Sequence, residues 1–381
     1  ARGSSGRSRR AASPNDGVPV TSGPLVRTRE RVDGAAARVA LLGTGTVGSA
    51  VLQRLAGWQG SHLGQRLQLV HVANSRQSAS DRSGLAPAEA AQRLALAPQR
   101  SSLDAIEAAL KGDGARIVID ATASDVVAAR HAHWLQQGIH VVTACKIGQG
   151  TSLSQWRSIR TAAAIGNAGY GDSATVGAGL PLLRTLRELQ AGGDRIHAIA
   201  GVRSGSLAWL FNHYDGMRPF SALVRQARDA GYTEPDPRDD LSGEDVRRKL
   251  LILARSAGVE LDASDVEVTS LVPPELAILS REALDAALPA LDAPLRDRYA
   301  SAYKRHEKLR FIARLETGIA RVGLESLPAD HPLAGGAGTD NRVAIWSDRY
   351  CNQPLVIQGP GAGAEVTAAG LLDDALRLSH R

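Results

Sequence analysis

ARVALLGTGTVGSAVLQRL, at residues 37–55, decides the fold class of this chain. Its apolar start predicts a buried strand, and its second half has the pattern of a helix. Gly43, Gly45 and Gly48 lie between the two with the spacing G-x-G-x-x-G. A glycine pattern that joins a strand to a helix is typical of a dinucleotide-binding turn.

Each part of this turn has a physical role in holding a pyrophosphate. Gly43 permits the tight turn, Gly45 lets the backbone approach the ligand, and Gly48 allows close packing of helix on strand. Residues 49–55 are predicted to form the helix, whose N-terminal amides would face the phosphates, and Thr46 and Val47 of the turn are assigned to the same site. We therefore predict that these residues bind the cofactor, and prefer this interpretation to a strand–helix turn without a ligand.

The sequence after the turn continues the same alternation. LQLVHVANSR, ARIVIDATAS and GIHVVTACK are strand-like segments, and VVAARHAHWLQQ is a helical segment before the last of them. Strands that alternate with helices predict a parallel sheet. The predicted fold class is therefore α/β, with a Rossmann-type nucleotide-binding domain.

The end of the second strand bears on the choice of cofactor. An NAD site usually has an acidic residue here, which accepts a hydrogen bond from the ribose 2′-hydroxyl. The chain has Asn74, Ser75 and Arg76 instead. Arg76 favours NADP because a guanidinium suits a 2′-phosphate, but a plain surface arginine is the alternative. Both NADP and NAD therefore remain candidates.

Composition excludes several classes of protein. Of the 381 residues, 43% are hydrophobic and 22% charged, which is globular composition. No apolar run approaches the about 20 residues of a membrane helix. Cys145 and Cys351 are too few for a disulfide framework and suit a reducing compartment. We predict a cytoplasmic protein without a membrane partner, in which both cysteines are packing residues.

The basic charge is concentrated at the N-terminus. The formal net charge is 45 − 39 = +6, and residues 1–36 carry much of the excess. This segment is rich in Arg, Ser, Gly and Ala without a hydrophobic period, which predicts disorder. We prefer a solvated linker to a nucleic-acid-binding arm or an organelle transit peptide. Without the tail the charge is close to neutral, so no nucleic-acid partner is predicted.

A second informative stretch, TEPDPRDDLSGEDVRRKLLILAR, covers residues 233–255 and crowds carboxylates onto a proline-stiffened loop. A helix is predicted to follow, from about residue 243 to residue 257. Asp245 and Lys249 are spaced i, i+4 and share a face of that helix. Ser242 and Asp245 have the spacing of a capping box.

An ordinary surface ion pair accounts for Asp245 and Lys249 but not for the acids upstream, such as Glu234 and Asp240. Like charges repel unless something cationic satisfies them. Nearby arginines, a metal ion and the ammonium group of an amino-acid ligand are the candidates. We favour the ammonium because the chain already has a dinucleotide-binding pattern.

Lys146 ends the strand-like run HVVTACK. Ligands of open α/β sheets lie at the carboxyl ends of the strands, so Lys146 could reach both cofactor and substrate. A solvated lysine at a strand end is the alternative. His131 and His133 are spaced i, i+2 and do not share a helix face, so we expect surface positions for both.

Together, TEPDPRDDLSGEDVRRKLLILAR, GVRSGSLAWLF, ATVGAGLP and VVTACK resemble homoserine dehydrogenase. The similarity is greatest to the dehydrogenase half of the bifunctional aspartokinase–homoserine dehydrogenases. The segments VANSR and GPGAGAEVTAAG also match the pattern of that subgroup. The resemblance implies NAD(P)-dependent, reversible reduction of L-aspartate 4-semialdehyde to L-homoserine in threonine, methionine and isoleucine biosynthesis. It also implies a homodimer and a second, α+β domain for substrate binding and dimerisation.

The resemblance assigns roles to individual residues. Lys249 and Lys146 would be catalytic. Substrate binding is implied for Glu234, Asp240 and Asp245. Further cofactor contacts are implied for Thr122, Lys146 and Gly338. A sodium ion would be held by the backbone carbonyls of Val176, Ala178 and Leu180.

Two positions depart from the family pattern. Cys145 stands where an asparagine usually precedes the strand-end lysine, and Ser173 stands where a carboxylate is often found near the sodium-binding turn. The first departure keeps open a non-catalytic NAD(P)-binding regulator derived from the family. The acidic loop keeps open a metal-dependent hydrolase or lyase.

Three segments are expected along the chain. Residues 1–36 form the basic tail, and residues 37–173 together with 342–381 form the NAD(P)-binding domain. Residues 174–341 form the substrate-binding and dimerisation domain.

Overall fold

The computed structural model describes residues 34–98 and 100–380. Disorder was predicted for residues 1–36. Residues 1–33 of this tail lie outside the described part of the chain. The first strand starts at Ala37, as the glycine pattern after it requires.

A mostly parallel sheet carries the N-terminal half of the described chain. Its strands are β1 (Ala37–Leu42), β2 (Leu67–Ala73), β3 (Ser78–Ser80), β4 (Arg116–Asp120), β5 (His140–Thr143) and β6 (Tyr170–Gly171). Their order is β3-β2-β1-β4-β5-β6, and only the short β3 runs antiparallel to its neighbour. All of β1 is buried because both faces of the sheet are covered, which explains its continuous apolar run. The strand order reverses beside β1, and such a switch point opens a ligand crevice at the carboxyl ends.

Helices cover both faces of this first sheet. They are α1 (Thr46–Gly57), α2 (Ala90–Ala95), α3 (Ala105–Ala109), α4 (Asp125–Gln136), α5 (Ile147–Gly150) and α6 (Leu153–Ile165). One core contains Val51 and Leu55 of α1, and the other contains Trp134 and Leu135 of α4. The predicted α/β nucleotide-binding fold is confirmed.

A second sheet is built mainly of antiparallel strands. Its members are β7 (Ile196–Val202), β8 (Val266–Val268), β9 (Glu307–Glu316), β10 (Ile319–Pro328), β11 (Asn341–Ser347) and β12 (Leu355–Gly359), in the order β12-β11-β7-β9-β10-β8. The accompanying helices are α7 (Leu182–Ala191), α8 (Gly205–His213), α9 (Phe220–Asp229), α10 (Arg238–Leu241), α11 (Glu244–Ser256), α12 (Pro274–Ala277), α13 (Arg281–Ala287) and α14 (Asp292–Lys304). Short 3-10 turns lie at Ser173–Thr175, Ala263–Asp265 and Leu288–Leu291. This is the expected α+β partner of the nucleotide-binding part.

The chain returns to the first sheet later than we expected. The segment from Arg342 was assigned to the NAD(P)-binding domain, but β11 pairs with β7 and β12 pairs with β11 in the second sheet. Only α15 (Ala364–Leu378) returns, and its Leu371 and Leu372 enter the same core as α1. Strand-like sequence alone does not identify the sheet, because the partner of β11, β7, lies far away along the chain.

Helix α11 has the predicted apolar face, with Val246, Leu250 and Leu253 at most 1% exposed. Its start differs from the predicted capping box. Gly243 is the N-cap at φ 80°, and no side chain caps the helix. A Cβ atom at Gly243 would also lie 2.9 Å from Phe311 Cζ. The carboxylate of Asp245 is therefore not used for capping and is available to other partners.

Candidate active site

The glycine turn has the shape that a pyrophosphate needs. Gly43 has φ 90°, and a Cβ atom at Gly48 would overlap the carbonyl oxygen of Gly43. A Cβ atom at Gly45 would have no heavy atom within 4 Å, so the backbone there is open to an approaching ligand. Gly45 is also the N-cap of α1 and has no side-chain cap, which leaves the amide end of the helix, at Thr46 and Val47, facing the same space. These residues fit a dinucleotide.

Thr122 lies beside this turn, as expected for a cofactor-binding residue. A Cβ atom at Gly43 would lie 3.0 Å from Thr122 Cγ2. Asp120, at the end of β4, holds Thr122 by accepting from its amide at 2.9 Å and its hydroxyl at 2.6 Å. The carboxyl ends of β1 and β4 therefore share one crevice edge.

Two other predicted cofactor residues occupy loops. Arg76 is exposed at the end of β2, in a turn in which Asn74 Oδ1 accepts from the amides of Arg76 and Gln77, each at 2.8 Å. Gly338 is exposed on the loop before β11, and its carbonyl accepts from Asn212 Nδ2 of α8 at 2.9 Å. The described hydrogen bonds join Gly338 to α8 and not to the glycine turn.

Two lysines from different parts of the chain converge on one carboxylate. Lys249 Nζ lies 2.8 Å from Asp245 Oδ2, and Lys146 Nζ lies 3.5 Å from Asp245 Oδ1. Lys146 is the N-cap of α5, just after β5, whereas the other two lie on α11. Lys249 Nζ also donates to the carbonyl oxygen of Arg203 at 2.7 Å. The cluster thus lies where the carboxyl ends of the strands of the first sheet meet helix α11, which belongs to the part of the fold around the second sheet.

Burial and charge set the protonation of this cluster. Burial opposes the ionisation of Asp245, but the ammonium groups of Lys249 and Lys146 outweigh it and lower the pKa of Asp245 to about 2. Burial also lowers the pKa of Lys249 from its ordinary value, against the attraction of Asp245. The side chain of Lys249 is 12% exposed and that of Asp245 is 48% exposed. A lysine whose pKa is lowered towards neutrality is suited to proton transfer.

The carboxylates of the acidic loop differ in whether they have a partner among the described residues. Asp236 pairs with Arg238 at 2.6 Å, so that arginine satisfies one of the acids. Asp240 accepts from the Ser206 hydroxyl at 2.6 Å and from the Glu234 amide at 2.8 Å, and burial raises its pKa. The side-chain carboxylate of Glu234 has no partner among the described residues, and the residue is exposed. This leaves Glu234 free to bind a cationic ligand.

Comparison with known proteins decides the family. The profile of the homoserine dehydrogenase family matches residues 181–376. The profile of that family's NAD-binding domain matches residues 43–169. The chain belongs to the homoserine dehydrogenase family.

Individual relatives agree with the family profiles. The chain is 44% identical to bifunctional aspartokinase/homoserine dehydrogenase 2, chloroplastic, of Zea mays over 267 residues, which are 69% of this chain and 29% of that protein. It is 39% identical to the homoserine dehydrogenase of Emericella nidulans over 310 residues, which are 78% of this chain and 80% of that protein. A crystal structure of a protein of unknown function from Candida auris has a TM-score of 0.84 and 33% identity, covering 91% of this chain and 99% of its own. The chain thus spans less than a third of the maize relative.

Cys145, which directly precedes Lys146, is buried next to the lysine cluster. Its amide donates to Thr143 Oγ1 at 2.9 Å. Burial, and then the charge of Asp120, raise the pKa of the Cys145 thiol to about 11. The thiol therefore stays neutral and packs as predicted. Cys351, in contrast, is exposed, so its predicted packing role is wrong.

A buried network below the crevice was missed by sequence reasoning. His131 is fully buried, with Nε2 3.0 Å from Asp120 Oδ2 and Nδ1 2.9 Å from the Tyr170 hydroxyl. The predicted surface position of His131 is therefore wrong, whereas the side chain of His133 is 45% exposed, as expected. Thr143 also donates to Asp120 Oδ2 at 3.1 Å. No spacing in the sequence joins these residues, because they come from different strands and helices.

The turn at which homoserine dehydrogenases are expected to bind sodium does not offer a free carboxylate. The predicted ligands are the carbonyls of Val176, Ala178 and Leu180. Ser173, which stands at the usual carboxylate position, donates to Asp374 through its amide at 2.9 Å and its hydroxyl at 3.0 Å. Arg377 pairs with the same Asp374 and already neutralises it. The carboxylate next to this turn is thus already paired with Ser173 and Arg377.

Two kinds of feature are absent from the described residues. Within residues 34–98 and 100–380, no group of three or more His, Cys, Asp or Glu side chains is placed to hold a metal ion. In the same residues, no helix combines the length and the apolarity needed to span a bilayer.

Proposed function

We propose that this chain catalyses the reversible, NAD(P)-dependent reduction of L-aspartate 4-semialdehyde to L-homoserine. The observation that carries the proposal is the convergence of Lys249 and Lys146 on Asp245 beside the carboxyl ends of the nucleotide-binding strands. Membership of the homoserine dehydrogenase family supports the substrate. The reaction would serve threonine, methionine and isoleucine biosynthesis.

The lysines have complementary roles in this proposal. When bound, the nicotinamide supplies or accepts the hydride at the substrate carbon. Lys249 donates a proton to the developing alkoxide in reduction and takes it back in oxidation. Its lowered pKa makes that proton easier to release. Lys146 adds positive charge next to the same oxygen, and Asp245 keeps both ammonium groups in place.

The acidic loop would hold the substrate's ammonium group. Glu234 has a carboxylate free for this purpose. Asp240 fixes the loop by accepting from the Glu234 amide and from Ser206, and Asp245 contributes the second negative charge. An ammonium group is the partner that such a pair of carboxylates selects.

The cofactor would be NADP or NAD, bound through Gly43, Gly45, Thr46, Val47, Gly48, Arg76, Thr122, Lys146 and Gly338. Arg76 supports NADP because it is exposed at the end of β2, and no acidic residue follows that strand directly. Glycines 43, 45 and 48 support pyrophosphate binding by either cofactor.

The oligomeric state, the location and the domain bounds are part of the same proposal. A homodimer and a cytoplasmic location follow from the resemblance and the composition, and the maize relative, which is chloroplastic, keeps the transit-peptide alternative for the tail. The first domain would consist of residues 37–173 and α15, with β11 and β12 moved to the second domain. A sodium ion would be bound by the backbone carbonyls of Val176, Ala178 and Leu180.

The proposal is tested by following the absorbance of NAD(P)H with purified protein. L-homoserine is supplied with NAD⁺ or NADP⁺, and the semialdehyde with NADH or NADPH, beside the variant Lys249→Ala. Turnover that disappears in the variant would support the dehydrogenase. Cofactor binding without turnover in either direction would favour the alternative, a non-catalytic NAD(P)-binding regulator.

A further inference from the structure

Arg203 is an unusual buried cation next to the lysine cluster. The residue is 0% exposed, although it directly follows β7. Among the described residues, none accepts a hydrogen bond from its Nε, Nη1 or Nη2 atoms. Burying a guanidinium without an acceptor is costly, so such a group in a folded protein needs an explanation.

The position of Arg203 connects it to the reaction centre. Its carbonyl oxygen accepts from Lys249 Nζ at 2.7 Å. Side chains alternate along β7, so that Ile199 enters the core shared with α11 while Val202 enters the core on the other face. Arg203 follows Val202 and is therefore directed to the α11 side, where its charge interacts with Asp245 and Lys249.

The charges already present in the site leave one substrate group without a partner. L-homoserine and L-aspartate semialdehyde each have an ammonium group, a reacting oxygen and a carboxylate. Glu234 and Asp245 suit the ammonium, and the two lysines, both engaged with Asp245, suit the oxygen. Arg203 is the adjacent cation whose guanidinium donors are all unused.

We infer that the guanidinium of Arg203 binds the α-carboxylate of the substrate and so selects amino acids over amino alcohols. This inference rests on the proposed function. A planar guanidinium can donate two parallel hydrogen bonds to a carboxylate, which a lysine cannot. The charge of Arg203 interacts with Asp245, whose side chain is 48% exposed, so the guanidinium lies close to the side of the cluster that a substrate can approach.

The test compares L-homoserine with 3-aminopropan-1-ol, which is the same molecule without its carboxylate. In Arg203→Met we expect kcat/KM for L-homoserine to fall about 10- to 100-fold, as for loss of a charge-assisted hydrogen bond. The Ki of 3-aminopropan-1-ol as a competitive inhibitor should stay unchanged. Arg203→Lys should restore part of the lost kcat/KM, and Arg247→Met, which removes the partner of Glu244 on α11, should leave both constants as in the wild type.

Stability separates binding from folding. Arg203→Met removes an unpaired buried charge, so its melting temperature without substrate should equal or exceed that of the wild type. If Arg203 binds the substrate, the variant should lose affinity for L-homoserine while its stability is undiminished.

Several results would overturn the inference. One is an equal weakening of L-homoserine and 3-aminopropan-1-ol. Another is a shifted pH profile with both ligands, which would mean that Arg203 only tunes Lys249. A third is no change in either constant. If the wild type fails to oxidise L-homoserine at all, the proposed function fails, and Arg203 is then judged by calorimetry of the same two ligands with wild type and Arg203→Met.

Discussion

Lys146 Nζ lies 3.5 Å from Asp245 Oδ1. This ion pair joins the part of the fold around the first sheet to the part around the second sheet. Lys146 follows a strand of the nucleotide-binding sheet, whereas Asp245 lies in the first turn of α11, which packs with the second sheet. A cofactor bound at the glycine turn and a substrate bound at the acidic loop would therefore meet at this pair. The reaction we propose needs that meeting because hydride transfer requires the two reacting carbons in contact.

Lys249→Met should abolish most turnover while preserving the fold. The variant keeps most of the length of the side chain but has no ammonium group to donate a proton, so we expect kcat to fall about 10²- to 10⁴-fold. NADPH binding should change little, because the glycine turn follows β1 of the first sheet whereas Lys249 lies on α11. Steady-state kinetics and fluorescence titration of NADPH measure the two effects. Lys308→Met, at an exposed position of β9, is the matched control, and near-normal kcat in Lys249→Met would contradict the assignment.

Asp245→Asn should shift the pH profile of semialdehyde reduction. Reduction needs protonated Lys249, so activity is lost as pH rises through the pKa of that lysine. Asp245 raises this pKa against burial, and its removal lets the pKa of Lys249 fall further. The basic limb of kcat against pH should therefore move to lower pH. Glu244→Gln is the control, since Glu244 pairs with Arg247 rather than with the lysines, and an unmoved limb in Asp245→Asn would count against the mechanism.

Asp245 should also contribute to acid sensitivity. Its pKa, lowered to about 2, lies below the ordinary value of 3.8. A carboxylate of this kind stabilises the fold above its unfolded pKa and loses that effect as pH falls through its folded pKa. Urea titrations at successive pH values between about 5 and 2 should show a smaller pH dependence in Asp245→Asn than in the wild type. Identical slopes in both proteins would contradict the pairing with the lysines.

His131→Ala should destabilise the protein and weaken cofactor binding. The change leaves Asp120 and Tyr170 without their shared partner in a fully buried position, at a cost of about 3 kcal/mol in the free energy of unfolding. Asp120 also holds Thr122 beside the glycine turn, so the KM for NAD(P)H should rise more than that for the semialdehyde. Urea unfolding and kinetics test both effects. His133→Ala, on the exposed side of the same helix, should change neither.

Arg76→Ala should reduce the preference for NADP. The guanidinium would lose its charge-assisted bond to the 2′-phosphate, so kcat/KM with NADPH should fall about tenfold or more. Values with NADH should stay the same because that cofactor has no 2′-phosphate. Arg82→Ala, in the next turn of the chain, is a suitable control. Equal losses with both cofactors would mean that Arg76 acts on the fold rather than on the phosphate.

The candidate site was predictable from the sequence where its residues are close along the chain. Asp245 and Lys249 were predicted to share a face of one helix, and the helix holds their charged groups 2.8 Å apart. The pair of Lys146 with Asp245 depends on how the two layers pack. The burial of Arg203 and His131 depends on which elements cover them, so neither could be inferred from spacing.

The sequence by itself determined the nucleotide-binding fold, because the G-x-G-x-x-G turn and the apolar strands around it are local patterns that leave the backbone few alternatives. It also determined which helix face of α11 is apolar and which is charged. Only the tertiary structure decided that β11 and β12 belong to the second sheet, and that two lysines share one carboxylate. Those outcomes depend on contacts between segments far apart in the chain, whose free energy comes from burial in the assembled fold and not from any local pattern.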